Sequence, residues 1–134
     1  MLGLILLVAA ATAHSGAVPA CKLVAPADAK TVLGGAAAPE AQTLGLYSSC
    51  TYRRGGITLT VQTRALSKAD FVKSAKANPK PVVAVTGLGT PAYSAAGSVL
   101  LVWRNGVEAN FLIFGGGKGL ADEKALAKRV VKRL

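Results

Sequence analysis

A chain of 134 residues has room for one domain, and a 51% apolar share with only one Trp, three Tyr and three Phe calls for a core of Val, Leu and Ile. Sixteen Lys and Arg against six acids give a formal charge of +10, an attraction toward anionic partners. With one His the chain has no means for a multi-histidine metal site, and past the N-terminal run nothing approaches the ~18 continuous apolar residues of a membrane-spanning helix.

Met1 to Ala13 is that run: Leu2, Leu4, Ile5, Leu6, Leu7 and Val8, then the small residues Ala11-Thr12-Ala13. No polar residue recurs at a 3.6-residue period, as a first helix of the folded domain would require. The segment reads instead as a signal peptide over residues 1–20, although no Lys or Arg precedes it. Cleavage after Ala13 and after Ala20 both satisfy a small-x-small rule. All the charged residues follow the leader, and 21–134 is one domain in an oxidising space, periplasmic or secreted.

In that space Cys21 and Cys50 pair as one disulfide closing a loop of roughly 30 residues, worth about 3–4 kcal/mol. The competing reading is a lipoprotein, with Cys21 acylated behind Val18-Pro19-Ala20. Pro19 fits that processing site poorly, and acylation strands Cys50 as a thiol.

Residues 26–33 form a short helix, with Pro26 in its first turn, Asp28 at its positive end and Gly34-Gly35 to stop it. Residues 36–46, rich in Ala with a Pro and Gly45, read as a loop. Ser49–Arg53 and Ile57–Arg64 are strands around Gly55-Gly56, and Ile57, Leu59 and Val61 alternate with Thr58, Thr60 and Gln62. Ser67 caps a helix through Ala77 that Asn78-Pro79 ends, with Ala69, Phe71, Val72 and Ala75 as its candidate buried side.

Pro81–Thr86 is a third short strand, and Gly87–Pro91 is turn-rich. Val99–Arg104 and Val107–Phe114 flank Asn105-Gly106, the favoured pair for a two-residue hairpin. Gly115–Gly119 is a flexible loop, and a final helix runs from about Asp122 to Arg133. The order predicts an α+β fold: an antiparallel sheet of about five strands with helices packed on one side.

Cys21-Lys22-Leu23-Val24, Ala27-Asp28-Ala29, Val32-Leu33-Gly34, Cys50-Thr51-Tyr52, Gly87-Leu88-Gly89-Thr90-Pro91-Ala92-Tyr93 and Leu101-Val102-Trp103-Arg104-Asn105-Gly106 together resemble a broad group of small bacterial secreted proteins and lipoproteins of unknown function. The resemblance covers most of the chain after the leader, through short motifs. It implies a PsbP-like α+β fold, a place at the cell envelope and no established catalytic residues. Where the group often carries Asp after the second Gly of the G-L-G turn, this chain has Thr90.

Few residues suit chemistry. His14, at the leader boundary, has nothing to orient it. Asp28, Glu40, Asp70, Glu108, Asp122 and Glu123 are scattered, with Glu108 expected near Arg104 across the hairpin as a cross-strand charge pair. Gly87–Ala92 formally matches the dinucleotide fingerprint G-x-G-x-x-A, but Pro91 interrupts the helix that should follow. Tyr47, Tyr52 and Arg53-Arg54 would suit base stacking in a chain that met nucleic acid, which an exported one seldom does.

The last helix carries Lys124, Lys128, Arg129, Lys132 and Arg133 beside a Leu126, Val130, Leu134 stripe. The stripe packs on the sheet, and the five cations are the anion-binding candidates. The sequence therefore predicts a non-enzymatic binding or accessory module at the bacterial envelope, needing no cofactor or metal, whose partner is an anionic envelope component or an envelope protein. Alternatives are a hydrolase without histidine, working through carboxylates or through Ser48, Ser49, Ser67, Ser94 or Ser98 with a Lys, and a structural subunit of an envelope complex.

Overall fold

The structure, a computed structural model, describes residues 17–77 and 82–134. The leader, its Ala13 boundary and His14 lie outside the described residues, as do Asn78-Pro79 and Pro81. None of the helices described is long and apolar enough to cross a membrane.

Seven strands form one antiparallel sheet: β1 (Glu40–Leu44), β2 (Tyr47–Arg54), β3 (Ile57–Ala65), β4 (Val82–Ala84), β5 (Ala92–Ala95), β6 (Val99–Arg104) and β7 (Val107–Phe114), in the order β1-β2-β3-β7-β6-β5-β4. The sequence accounts for five of these. β1 falls in the expected loop because Glu-Ala-Gln-Thr-Leu lies exposed along a sheet edge and carries no buried alternation. β5 is four small or polar residues directly behind Pro91, too short to announce itself.

The helices are α1 (Ala20–Leu23), α2 (Pro26–Leu33), α3 (Lys68–Lys76) and α4 (Leu120–Val130), and a 3-10 turn over Val131–Arg133 extends α4. The register puts Cys50, Tyr52, Leu59, Val61, Leu100, Val102, Ala109, Phe111 and Ile113 on one face of the sheet. There they form the main core with Ala20, Leu23 and Val24, with Ala29 and Leu33 of α2, and with Leu126, Ala127 and Val130 of α4. Burial of this apolar layer is the principal drive to fold.

α3 does not join that layer. Its Phe71 is fully buried against Tyr93, with ring centroids 5.8 Å apart, and Trp103 Nε1 donates to Leu66 O at 2.7 Å just before the helix. Tyr93 and Trp103 point to the opposite face from Leu100 and Val102. Helices therefore cover both faces rather than one, and the β1-β2-β3-β7 half of the α3 face carries mainly polar residues: Thr51, Thr58, Thr60, Gln62 and Asn110.

The local signals act as the residues dictate. Asn105 and Gly106 both have positive φ, 52° and 79°, the geometry of a two-residue hairpin turn. Ser67 Oγ accepts from Asp70 N at 3.1 Å and caps α3. At the start of α2, Asp28 Oδ2 accepts from Ala25 N at 2.9 Å, and Asp122 Oδ2 does the same for Gly119 N at the start of α4. Cys21 and Cys50 are disulfide-bonded, tying α1 to β2 across a separation of 29 residues.

Candidate functional site

Charge in this protein is divided by residue type. Each of the six arginines is engaged within the molecule. Arg53 pairs with Glu40, Arg64 with Glu108 at 2.8 Å and Arg133 with Asp28 at 2.6 Å. Arg54 packs its guanidinium on Gly35, where a Cβ would collide with it. Arg104 donates to the carbonyls of Lys132 and Leu134 at 3.0 and 3.1 Å, and Arg129 to Thr31 Oγ1 at 3.1 Å. Among the described residues no ion pair uses a lysine. Arginine's planar, multi-donor head suits such fixed contacts, whereas a lysine ammonium is more strongly hydrated.

Five of the six acids are engaged as well: Asp28, Glu108 and Glu123 are buried, Glu40 is exposed but paired with Arg53, and Asp122 is spent on the α4 cap, while Asp70 is exposed in the first turn of α3. Burial pulls the Asp28 carboxyl upward, but the Arg133 hydrogen bond, the Ala25 N–H and the charges of Arg133 and Arg129 outweigh it and hold the group below its usual range. The cations that enter no ion pair among the described residues include every described lysine.

On α4 the candidate cations separate accordingly. Leu126, Ala127 and Val130 face the core, and Leu134 is partly buried, as the apolar stripe requires. Lys124 and Lys128 lie one helical turn apart, and Lys132 follows in the 3-10 turn; Lys128 and Lys132 are exposed. Lys124 lies over the Gly87 turn, its Nζ 3.4 Å from where a Gly87 Cβ would sit. Arg129 and Arg133 instead brace α4 and its extension against α2, and Arg133 also donates to Leu23 O at 2.8 Å. Of the five candidates, Lys128 and Lys132 are exposed, Lys124 is half-buried over the Gly87 turn, and Arg129 and Arg133, though exposed, are engaged by contacts to α2.

Glu108 is not across the hairpin from Arg104. The two-residue turn pairs Arg104 with Val107, so Glu108 opposes Trp103 and points to the other face. Its partner is Arg64 on β3, directly opposite in register. Tyr47 donates its OH to Glu108 at 3.3 Å, and the Arg64 guanidinium stacks on the Tyr47 ring 4.8 Å from its centroid. Burial and then the Glu108 charge raise the Tyr47 phenol, with Arg64 opposing. Sequence reasoning missed this cluster because its members lie on three strands that only the fold brings together.

Beside Tyr47 is a groove of about 620 Å³ lined by Ala17, Pro19, Leu46, Ser48 and Ala65, with Leu46 85% exposed at its rim. Tyr52, a stacking candidate in the sequence, is fully buried on the core face and donates to Val24 O at 2.8 Å. The Gly87–Pro91 turn leads into β5 and not into a helix, so the dinucleotide fingerprint has no helix N-terminus to present. Ser48 Oγ accepts from Ala20 N at 2.9 Å, Ser67 is a cap, and Ser49 and Ser94 are buried. Among the described residues no serine hydroxyl is bonded to a lysine.

Glu123 is a further residue the sequence did not single out. It is fully buried, its Oε2 accepts from Ile113 N at 2.8 Å, and its Oε1 has no protein partner. Ile113 lies one residue past the last β6 pairing of β7, so Glu123 serves a strand N–H that β6 is too short to reach. Burial pushes its carboxyl up to about 7.

No family model matches the chain, and no match was found among curated proteins or solved structures.

Proposed function

We propose that the protein is an exported, non-enzymatic binding or accessory module of the bacterial cell envelope that meets an anionic partner through the outward edge of α4. The observation that carries this reading is the division of charge: each arginine is engaged by a contact within the molecule, exposed or not, while Lys124, Lys128 and Lys132 follow one another along α4 and its extension and enter no ion pair among the described residues. A cationic surface of this kind gathers anions by long-range attraction without a preformed cavity. The Cys21–Cys50 disulfide fits an extracytoplasmic location, where such bonds persist. The resemblance to small secreted bacterial proteins, drawn from short motifs, points the same way.

The test is binding of the purified protein to vesicles containing anionic lipid, titrated with salt. Binding is expected at low ionic strength and is lost as salt shortens the range of the attraction. Each lysine near an anionic surface contributes about 1 kcal/mol. The triple substitution of Lys124, Lys128 and Lys132 by Ala therefore weakens binding on the order of 100-fold. The same change at Lys68, Lys73 and Lys76, on α3 across the sheet, leaves it largely intact. Binding that is absent at low salt, or indifferent to salt, contradicts the proposal.

A second reading, a structural subunit of an envelope complex, draws on the groove beside Tyr47 and on Leu44 and Leu46 exposed at its edge. Under it the protein co-migrates with a larger envelope assembly, and Leu46→Asp releases it without changing vesicle binding.

A further inference from the structure

We infer that the exported chain is processed by hydrolysis of the Ala13–His14 bond, that Val18-Pro19-Ala20 remain in the mature domain, and that the Cys21 sulfur is not acylated. This inference rests on the export reading above and chooses between the two bonds that the small-x-small rule allows.

The residues just before Cys21 are built into the fold. Val18 O accepts from Thr63 Oγ1 at 2.6 Å, and Ala20 N donates to Ser48 Oγ at 2.9 Å. These hydroxyls come from two neighbouring strands, β3 and β2, on the core face of the sheet. Pro19 O accepts from Lys22 N at 2.9 Å and Leu23 N at 3.0 Å, and Ala20 O accepts from Val24 N at 3.0 Å, so α1 exists only with both residues present. Ala20 is fully buried, and Val18 packs against the core.

Hydrolysis of the Ala20–Cys21 bond removes all of this. It takes Val18 and Ala20 out of the core and deprives the Ser48 and Thr63 hydroxyls of their partners. It also creates an α-ammonium on Cys21 at the edge of an apolar layer, where charge is disfavoured. The sulfur gives a second, independent reason. Cys21 Sγ is bonded to Cys50 Sγ, and an acyl-glyceryl thioether would need that same valence. Cys50 is fully buried, so acylation of Cys21 would leave a thiol sealed inside the core. Hydrolysis at Ala13–His14, where water leaves a carboxyl on Ala13 and an α-amino group on His14, touches none of these contacts. It leaves four residues, His14 to Ala17, ahead of Val18.

The experiment is intact-mass analysis and N-terminal sequencing of the full-length gene product recovered from the envelope and medium of an exporting bacterium. It is run on the unaltered chain and on Ala13→Tyr and Cys21→Ser. The expected first residue is His14, with no acyl mass and with a gain of two hydrogens on reduction. Ala13→Tyr, which violates the small-residue rule at the cleaved bond, retains the leader. Cys21→Ser is cleaved normally, because this processing does not require a modified cysteine. A chain beginning at Cys21, or a Cys21→Ser chain that is no longer cleaved, overturns the inference while leaving export intact. Any other first residue in an exported chain overturns the assigned bond. A product beginning at Met1 and confined to the cytosol overturns the export reading and this inference with it.

Discussion

Arg133, in the turn that follows α4, reaches back to Asp28 at the start of α2, with Nη1–Oδ2 at 2.6 Å and Nη2–Oδ1 at 3.3 Å. The contact is two-pronged and joins residues 105 positions apart, so it clamps the last turn of the chain onto its second helix. Asp28 also holds the Ala25 N–H, so one carboxylate both caps α2 and receives Arg133. A charged hydrogen bond of this kind is worth about 1.5–3 kcal/mol, and the 38% exposure of the Arg133 side chain trims that to about 1–2 kcal/mol.

Asp28→Asn should therefore lower the stability measured by urea unfolding at neutral pH by about 1–2 kcal/mol. The pH dependence follows from the depressed carboxyl. Above its ordinary value of 3.8 the group is ionised in both folded and unfolded states, and the full contribution is present. As pH falls below that value the unfolded chain takes up a proton before the folded one, and the contribution is lost as pH passes through the lower native pKa. The deficit of Asp28→Asn relative to the unaltered protein should shrink below about pH 4.

Glu123 has the opposite sign. Its carboxyl titrates at about 7 in the folded protein against an ordinary value of 4.5. Between those values the native state keeps a proton that the unfolded chain has released, so stability falls as pH rises across this window and levels off on either side. The shift corresponds to about 3 kcal/mol. Glu123→Gln keeps an acceptor for Ile113 N and has no charge to desolvate. It should flatten the stability profile between pH 5 and 8 and exceed the unaltered protein above pH 7, as read from urea midpoints at constant salt. An unchanged slope would show that Glu123 does not carry the pH dependence.

How much of this was legible depends on whether a signal is local. Asn105-Gly106, Ser67 with Asp70, and Asp28 behind Pro26 act within a few residues, and the hairpin, α3 and α2 formed where those signals fall. The Cys21–Cys50 bond was legible because a chain with two cysteines allows only one pairing. β1 was not, since an edge strand exposed at every position has no apolar period to detect. The partner of Glu108 is set by the β3–β7 register, a non-local fact, so the nearest cation in sequence was the wrong one. The side on which α3 packs depends on Phe71 finding Tyr93, 22 residues later, and no helix periodicity encodes that. At the basic helix, the sequence supplied five cations but could not tell that two of them have partners on α2 and α1.

The Gly115–Gly119 loop contains a glycine that cannot be replaced. Gly115 has φ of 92°, and a Cβ there would lie 2.0 Å from Gly56 O and 3.2 Å from Ile57 Cα, both backbone atoms that no rotamer change can move. Gly117 has a similar φ of 73° but open space around it. Gly117→Ala should cost only the left-handed backbone penalty, about 1–2 kcal/mol. Gly115→Ala adds a steric clash between the β3 and β7 ends and should cost about 3 kcal/mol or more. Comparing the two by thermal and urea unfolding separates backbone conformation from close packing, and equal losses would contradict the crowding at Gly56.

The division of labour between arginine and lysine gives the most direct test of how α4 works. If Arg129 and Arg133 brace the fold while Lys124, Lys128 and Lys132 enter no ion pair among the described residues, stability and binding should respond to different residues. The double substitution of Arg129 and Arg133 by Gln should lower unfolding free energy by about 1–3 kcal/mol and reduce affinity for anionic vesicles only in proportion to lost net charge. The triple lysine-to-alanine protein should unfold within about 0.5 kcal/mol of the unaltered chain, as surface changes usually do. Its vesicle binding and the salt dependence of that binding should both fall steeply. Measuring both properties on both proteins gives four numbers, and only a crossed pattern fits. Were the arginine variant to lose as much binding per charge removed as the lysine variant, the guanidinium groups would have to be leaving Asp28 and Thr31 to meet the partner. The outward edge of α4 would then be wider than its lysines.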